Sequence, residues 1–197
     1  MRYVCLVLVA VFILPACNPF GGKGFSGSGF NPGGPQPSAL NSTIVGTSSI
    51  VADGVQTSTI TITLKDANNL PMVGFTPTFS ATDTGATNTY GACSSSNGSG
   101  VSTCTLSSTK AEIKQLNLLS PVAIVAGSAV TFIAGAPAVA TSTVTGSGPV
   151  VADGVSTSTV SVVLADAFSN PIAGVTPTFD ATDTGATNTY GACSVTN

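Results

Sequence analysis

Residues 51–94 read VADGVQTSTITITLKDANNLPMVGFTPTFSATDTGATNTYGACS, and residues 151–194 repeat them as VADGVSTSTVSVVLADAFSNPIAGVTPTFDATDTGATNTYGACS. The two copies align without a gap at an offset of 100 residues, and 31 of the 44 aligned positions are identical while 13 differ. A period of this length with one register indicates a duplicated domain rather than a short-repeat solenoid. The fold of the repeat therefore decides the fold of most of the chain.

Apolar residues in the repeat alternate with threonine, which is the pattern of a β-strand with one buried face. In the first copy Ile60, Ile62 and Leu64 share the apolar face. Their counterparts in the second copy are Val160, Val162 and Leu164. Because these exchanges keep an apolar side chain of similar volume, the positions are predicted to lie in a hydrophobic core.

Further strands are predicted in the first copy at 42–46, at 73–79 with Val73, Phe75, Pro77 and Phe79 on one face, and at 101–108, 112–119 and 129–135. Proline is tolerated mainly in edge strands, so the strand that contains Pro77 is predicted near a sheet edge. The turn-rich stretch TDTGATNTYGAC that follows it is predicted to cross between sheets. About seven short strands in roughly 100 residues predict an immunoglobulin-like β-sandwich. The predicted fold class is therefore all-β, with two such sandwiches in tandem.

The second copy resembles the bacterial Ig-like domain group 1, which is found in adhesins of the invasin and intimin type. The family's D-x-x-x-N-P-x-x-G pattern stands here as Asp166, Asn170, Pro171 and Gly174. The first copy has Leu70 where the asparagine stands, and its segment STKA at 108–111 is similar to the family's S-T-K-A-G turn with Glu112 in place of the glycine. The resemblance implies an Ig-like sandwich that serves as a stalk module, with ligand binding in other domains.

The composition excludes several classes of function. The chain has no histidine, so catalytic triads and acid–base pairs built on histidine are excluded. Its formal charge of −3 offers no basic surface for nucleic acid. The carboxylates Asp53, Asp66 and Asp83 recur in the second copy and leave a calcium site as an alternative, but the D-G and D-A contexts of the first two favour turn roles. No enzymatic activity, catalytic residue, cofactor or metal is predicted.

The first residues, MRYVCLVLVAVFILPAC, have the pattern of a targeting segment. Arg2 precedes an apolar run from Val4 to Leu14, which is too short to span a bilayer and fits a signal peptide. The end of this run, Leu14-Pro15-Ala16-Cys17, resembles a bacterial lipobox, which implies a signal peptide at 1–16 and a lipid on Cys17. The alternative is ordinary secretion with Cys17 as an unmodified thiol. Two or three acyl chains form a stable anchor, so the lipid would hold the protein in the cell envelope. Asn18 rather than Asp follows the cysteine, and its resemblance to enterobacterial sorting rules implies the outer membrane, with exposure at the cell surface or orientation toward the periplasm as the alternatives.

Residues 17–37 are rich in glycine and proline and have no hydrophobic period, so a flexible tether is predicted there. The predicted domains that follow are an Ig-like domain at 38–137 and a second one at 138–197. The second copy reaches Asn197 before counterparts of the last three strands. It is therefore predicted to be incomplete, to belong to a longer chain and to be unstable alone, because its apolar face and strand edges would be open.

Cys93 and Cys104 flank the glycine-rich turn SSSNGSGVST, which would set two adjacent antiparallel strands within bridging distance. An envelope location permits oxidation, so a Cys93–Cys104 disulfide is predicted, with two free thiols as the alternative. Cys193 repeats Cys93, and the position of its partner falls beyond Asn197. A metal site at these thiols is disfavoured because no histidine accompanies them.

Three functional hypotheses remain. In the first, the protein is a lipid-anchored stalk whose partners are the membrane and neighbouring Ig-like repeats. In the second, the repeats themselves bind a host glycoprotein, matrix or polysaccharide through their Thr/Asn/Tyr-rich loops, with Tyr90 and Tyr190 as anchors. In the third, they form a periplasmic scaffold for a downstream domain. The identity of 81–94 with 181–194 fits either a ligand-contacting loop or a recent duplication.

Overall fold

Ten strands and no helix make up the part of the chain that the computed structural model describes, residues 34–185 and 187–197. In chain order the strands are β1 (Thr43–Gly46), β2 (Ile50–Val51), β3 (Ser58–Thr63), β4 (Thr78–Ala81), β5 (Asn88–Tyr90), β6 (Val101–Ser108), β7 (Ile113–Ser120), β8 (Ala129–Ile133), β9 (Thr143–Gly146) and β10 (Val160–Val163). The chain divides into two units, Met1–Gly34 and Pro35–Asn197, and all ten strands belong to the second.

The first copy is a sandwich of two four-stranded sheets. One sheet has the order β1-β3-β6-β5 and the other β2-β8-β7-β4. The neighbouring strands are antiparallel except for β2, which pairs in parallel with β8. The predicted all-β, immunoglobulin-like fold is confirmed. Strand β2 was not predicted, because two residues are too short to show an alternating pattern.

The core lies between the two sheets and uses the predicted inward faces. Ile60, Ile62 and Leu64 are fully buried. The opposite sheet contributes Leu116, Leu118, Val130 and Phe132. Burial of each such side chain is worth about 1.5–3 kcal/mol, so the alternating pattern of β3 and β7 is the main source of stability for the sandwich.

The prediction for residues 73–79 was wrong in part. The observed strand β4 begins only at Thr78, and Val73 is exposed rather than inward-facing. Pro77 and Phe79 are buried as expected, and β4 lies at a sheet edge. Proline offers no N–H for a ladder, and Gly74 adopts a positive φ of 84°, so the preceding residues form an irregular connection instead of a strand.

The stretch between β4 and β5 crosses from one sheet to the other, as predicted. Strand β4 pairs with β7 in one sheet, and β5 pairs with β6 in the other. The crossing therefore closes one end of the sandwich, which brings residues 82–87 close to the connection between β6 and β7.

In the second copy, β9 and β10 form an antiparallel two-stranded sheet that corresponds to β1 and β3. Val160, Val162 and Leu164 share one face as predicted, but they are only half-buried. The described residues hold no counterpart of β6 or β7, which pair with β5 and β4 in the first copy. Residues 178–181 and 188–190 accordingly form no strand.

The predicted signal peptide at 1–16, the lipidation site Cys17 and most of the predicted tether at 17–37 lie outside the described residues. Within the described part of the chain, no helix is long and apolar enough to cross a membrane.

Candidate functional site

The loop between β4 and β5 is the candidate site, because it belongs to the segment that is identical in both copies. Asp83 organises this loop. Its carboxylate accepts hydrogen bonds from the hydroxyl of Thr87 at 2.7 Å and from the N–H of Asn88 at 2.9 Å. The turn itself passes through Gly85 and Ala86, whose φ angles are 110° and 56°. A short acidic side chain that bonds to the following backbone is the usual way to hold such a turn.

Tyr90 closes the loop from the side of β5. Its hydroxyl accepts a hydrogen bond from the N–H of Ala81 and donates one to the carbonyl of Ala81, both at 3.2 Å. Its ring packs edge-on against Phe79 with a centroid distance of 5.3 Å. The side chain remains 44% exposed. Because the hydroxyl is already engaged inside the domain, a role as a polar ligand anchor is not supported by this geometry.

Lys114 lies beneath the loop and is fully buried, although it is a charged residue. Its ammonium Nζ lies 3.2 Å from Oδ1 of Asp83 and 2.6 Å from Oε1 of Glu112. It also donates to the hydroxyl of Thr87 at 3.3 Å. A buried ammonium is tolerated only when it is paired and hydrogen-bonded, and here both conditions hold.

The sequence analysis missed this cluster. The signal for it was the K-Q-L-N-L run of β7, in which Lys114 shares the inward face with Leu116 and Leu118. A lysine at a core position requires an acidic partner from another element. The loop that carries Asp83 supplies that partner.

The two carboxylates are held in their charged form. Burial favours the neutral form of Asp83, but the hydrogen bonds from Thr87, Asn88 and Lys114 outweigh it and lower its pKa far below the usual value. Burial acts in the same direction on Glu112, where the bonds from Lys114 and Thr84 prevail and lower its pKa as well. The cluster is therefore one cation between two anions at neutral pH.

The tip of the loop is tied to the connection between β6 and β7. Glu112 accepts hydrogen bonds from the hydroxyl and the N–H of Thr84, the latter at 3.2 Å. Lys110 donates to the carbonyl of Thr84 at 3.1 Å. The charged groups at this end of the sandwich are thus used to fix the loop.

The other two carboxylates singled out in the sequence, Asp53 and Asp66, stabilise the turns in which they lie. Asp53 accepts hydrogen bonds from the N–H groups of Gln56 at 2.7 Å and Val55 at 2.8 Å, and these bonds lower its pKa. Asp66 accepts from the N–H groups of Asn68 and Leu70, both at 2.9 Å. Among the described residues, no three His, Cys, Asp or Glu side chains come together as a metal site would require.

The predicted disulfide between Cys93 and Cys104 is confirmed. The two Cα atoms are 4.2 Å apart, and the bond joins the stretch that follows β5 to β6. The turn between them is held by Asn97, whose Oδ1 accepts from the N–H groups of Ser99 and Val101. Cys193, the counterpart of Cys93, is a free thiol and is partly exposed.

Comparison with known proteins shows which family the sandwich of the first copy resembles. A family model for invasin domain 3 matches residues 38–135. These residues form an invasin-type immunoglobulin-like domain. The matched range begins before β1 and ends after β8, so it covers both sheets of the invasin-type domain and the candidate loop within it. No curated protein matches the chain in sequence.

Solved structures of similar proteins include two bacterial adhesion proteins. Invasin, described as a bacterial integrin-binding protein, is 28% identical with a TM-score of 0.56 over 70% of this chain and 28% of its own. The Escherichia coli adhesin FdeC is 28% identical with a TM-score of 0.58 over 71% of this chain and 45% of its own. InvD of Yersinia pseudotuberculosis, at 22% identity and a TM-score of 0.53 over 72% of this chain and 45% of its own, shares the fold. The chain thus spans less than half the length of each of these structures.

Proposed function

We propose that this protein is an adhesin-type module of the bacterial cell envelope in which the Ig-like repeats act as a structural stalk. The observation that carries this proposal is the use of the polar side chains at the candidate loop. Asp83, Glu112, Lys114 and the hydroxyl of Tyr90 all bond within the invasin-type domain. Such a loop stiffens one end of the sandwich, which suits a spacer better than a ligand site.

The proposal includes the way the chain is attached. A signal peptide at 1–16 is removed, Cys17 carries the lipid, and residues 17–37 act as a flexible tether to an Ig-like domain at 38–137 and a second one at 138–197. The lipobox-like segment Leu14-Pro15-Ala16-Cys17 and the glycine- and proline-rich stretch after it support this arrangement. The protein is then an outer-membrane lipoprotein that projects from the cell surface.

Attachment and exposure are tested together in a Gram-negative host. The full chain should partition with membranes and be cleaved by protease added to intact cells. The variant C17S should lose the lipid mass and leave the membrane fraction. Protection of the full chain in intact cells would contradict surface exposure and favour the periplasmic scaffold instead.

The stalk role is tested against direct binding with the purified chain. We expect no binding to immobilised integrin, matrix proteins or glycans. The control is the double variant T89E/T189E, which places a charge at an exposed position of the identical segment in each copy. Saturable binding by the unmodified chain that these variants abolish would replace the stalk proposal with direct recognition by the repeats.

A further inference from the structure

The two copies meet through one loop of the second copy. This docking loop, residues 166–171, contacts an end of the invasin-type domain made of residues 109–111 and Gly135. The contacts are hydrogen bonds to main-chain groups of the first copy. The receiving surface is therefore defined mainly by backbone geometry.

Asn170 is the centre of the contact. Its Oδ1 accepts a hydrogen bond from the N–H of Ala111 at 2.8 Å, and its Nδ2 donates to the carbonyl of Thr109 at 2.9 Å. The same Nδ2 donates to Asp166 at 2.8 Å. Asn170 is only 4% exposed, so these bonds are shielded from water. A buried amide with both ends satisfied fixes position as well as orientation.

Asp166 adds a second bond between the copies. Its Oδ2 accepts from the N–H of Gly135 at 2.9 Å, while its Oδ1 accepts from the N–H groups of Phe168 and Asn170 inside the docking loop. Burial favours the neutral form, but the bonds from Asn170 and Gly135 prevail and lower the pKa of Asp166. The carboxylate thus holds the loop through both oxygens and the neighbouring copy through Oδ2.

The first copy shows which of these bonds the loop needs for its own shape. There Asp66 accepts from the N–H groups of Asn68 and Leu70 at 2.9 Å, just as Asp166 does with its own neighbours. The turn therefore forms with leucine at the fifth position. Leu70 is 59% exposed and has no side-chain donor or acceptor. The turn thus does not need the side-chain amide of Asn170, which bonds to Asp166 and reaches across to the neighbouring copy.

We propose that Asn170 specifies docking between repeats: a loop with Asp-x-x-x-Asn seats on the 109–111 end of a preceding invasin-type domain, and a loop with Asp-x-x-x-Leu does not. The partner that fits this end is another repeat of the same kind. The proposal rests on the proposed stalk function, which needs adjoining repeats held in one orientation.

Amide hydrogen exchange on the full chain tests the proposal, with N170L as the variant and L70N as the matched control. In N170L we expect the Ala111 amide to exchange about fivefold faster or more, because it loses its buried acceptor. The amides of Ile60 and Leu116 in the core should keep their rates. In L70N the rate of Ala111 should not change. An unchanged rate for Ala111 in N170L, or an unprotected Ala111 amide in the unmodified chain, would overturn the proposal.

A second measurement distinguishes loss of docking from a local change in the turn at 166–171 that N170L could also cause. Residual dipolar couplings of β1–β8 and of β9–β10 should fit one alignment tensor in the unmodified chain and in L70N. In N170L they should require two tensors, because the copies then reorient independently. A single shared tensor in N170L would overturn the proposal. These results are independent of the protease and binding tests, so the docking proposal and the stalk proposal can fail separately.

Discussion

Residues 81–94 and 181–194 have the same sequence but differ in structure. In the first copy the segment contains the end of β4 and all of β5, and in the second copy its described residues, 181–185 and 187–194, form no strand. The local contacts nevertheless recur. Asp183 accepts from the Thr187 hydroxyl at 2.9 Å and the Asn188 N–H at 2.8 Å. The difference shows that the turn is encoded locally, whereas strand formation depends on partners elsewhere in the chain.

The aromatic pair follows the same rule. Tyr190 bonds to the backbone of Ala181 as Tyr90 does to Ala81, and its ring lies 5.6 Å from that of Phe179. What the described second copy lacks is a lysine beneath the loop and a cysteine opposite Cys193. Because Asp183 and Tyr190 bond within the segment just as Asp83 and Tyr90 do, its identity in the two copies has a structural explanation that needs no ligand.

The largest expected effect is a difference in stability between matching substitutions in the two copies of the loop, D83A and D183A. D83A removes a partner of the buried Lys114 and two acceptors of the loop, so it should lower the free energy of unfolding by about 3 kcal/mol. D183A breaks only local bonds and should shift the main unfolding transition by less than about 0.5 kcal/mol. Urea unfolding followed by circular dichroism measures both. Equal losses would contradict the importance assigned to Lys114.

The next effect concerns the cysteines. The double variant C93S/C104S opens a loop of sequence separation 11 and should lose about 2–3 kcal/mol in urea unfolding. The single variant C193S changes a free thiol and should leave the transition unchanged. Adding a reductant to the unmodified chain should lower its unfolding free energy by the same amount. That result would confirm that the effect comes from the loss of the disulfide and not from the introduced serines.

A smaller effect is expected from the tyrosine hydroxyls. Y90F removes the two bonds to Ala81 while keeping the ring against Phe79, so it should destabilise the first copy by about 1 kcal/mol. Y190F should leave the main transition in place and only speed amide exchange of Ala181. If Y90F had no effect on stability, the hydroxyl would be free for the ligand role that the geometry argues against.

The smallest effect near neutral pH is the pH dependence of the folding stability that comes from Asp83 and Glu112. Because Asp83 and Glu112 have lowered pKa values when folded, their contribution is complete above their unfolded values of about 4. It is lost as the pH falls through the folded pKa values. The urea midpoint should therefore be flat from about pH 5 to 8 and fall below about pH 4. D83N should flatten that fall, and a fall unchanged by D83N would contradict the assignment.

Much of the fold could be predicted from alternation and turn residues. The inward face of Ile60, Ile62 and Leu64, the edge position of the strand with Pro77 and the crossing between sheets all follow from local patterns. The disulfide could also be predicted, because a short glycine-rich turn sets its two cysteines on adjacent strands.

Long-range pairing could not be predicted in the same way. The contact of Lys114 with Asp83 joins residues 31 positions apart, and nothing local marks either as the partner of the other. The bond from Ala111 to Asn170 spans 59 positions and requires the arrangement of both copies. The irregular path before β4 depends on Gly74 and Pro77 acting together, which outweighs the apolar alternation of residues 73–79.

The parallel pairing of β2 with β8 has a mechanical consequence. It joins a strand near the beginning of the sandwich to its last strand, through bonds from Ser49 to Thr131 at 2.9 Å and from Ala52 to Ile133 at 2.8 Å. Tension on the two ends of this domain pulls these strands in opposite directions along their length. The bonds then bear the load in shear and must break together rather than one after another. Extension of this domain from its two ends would therefore be resisted through these few residues.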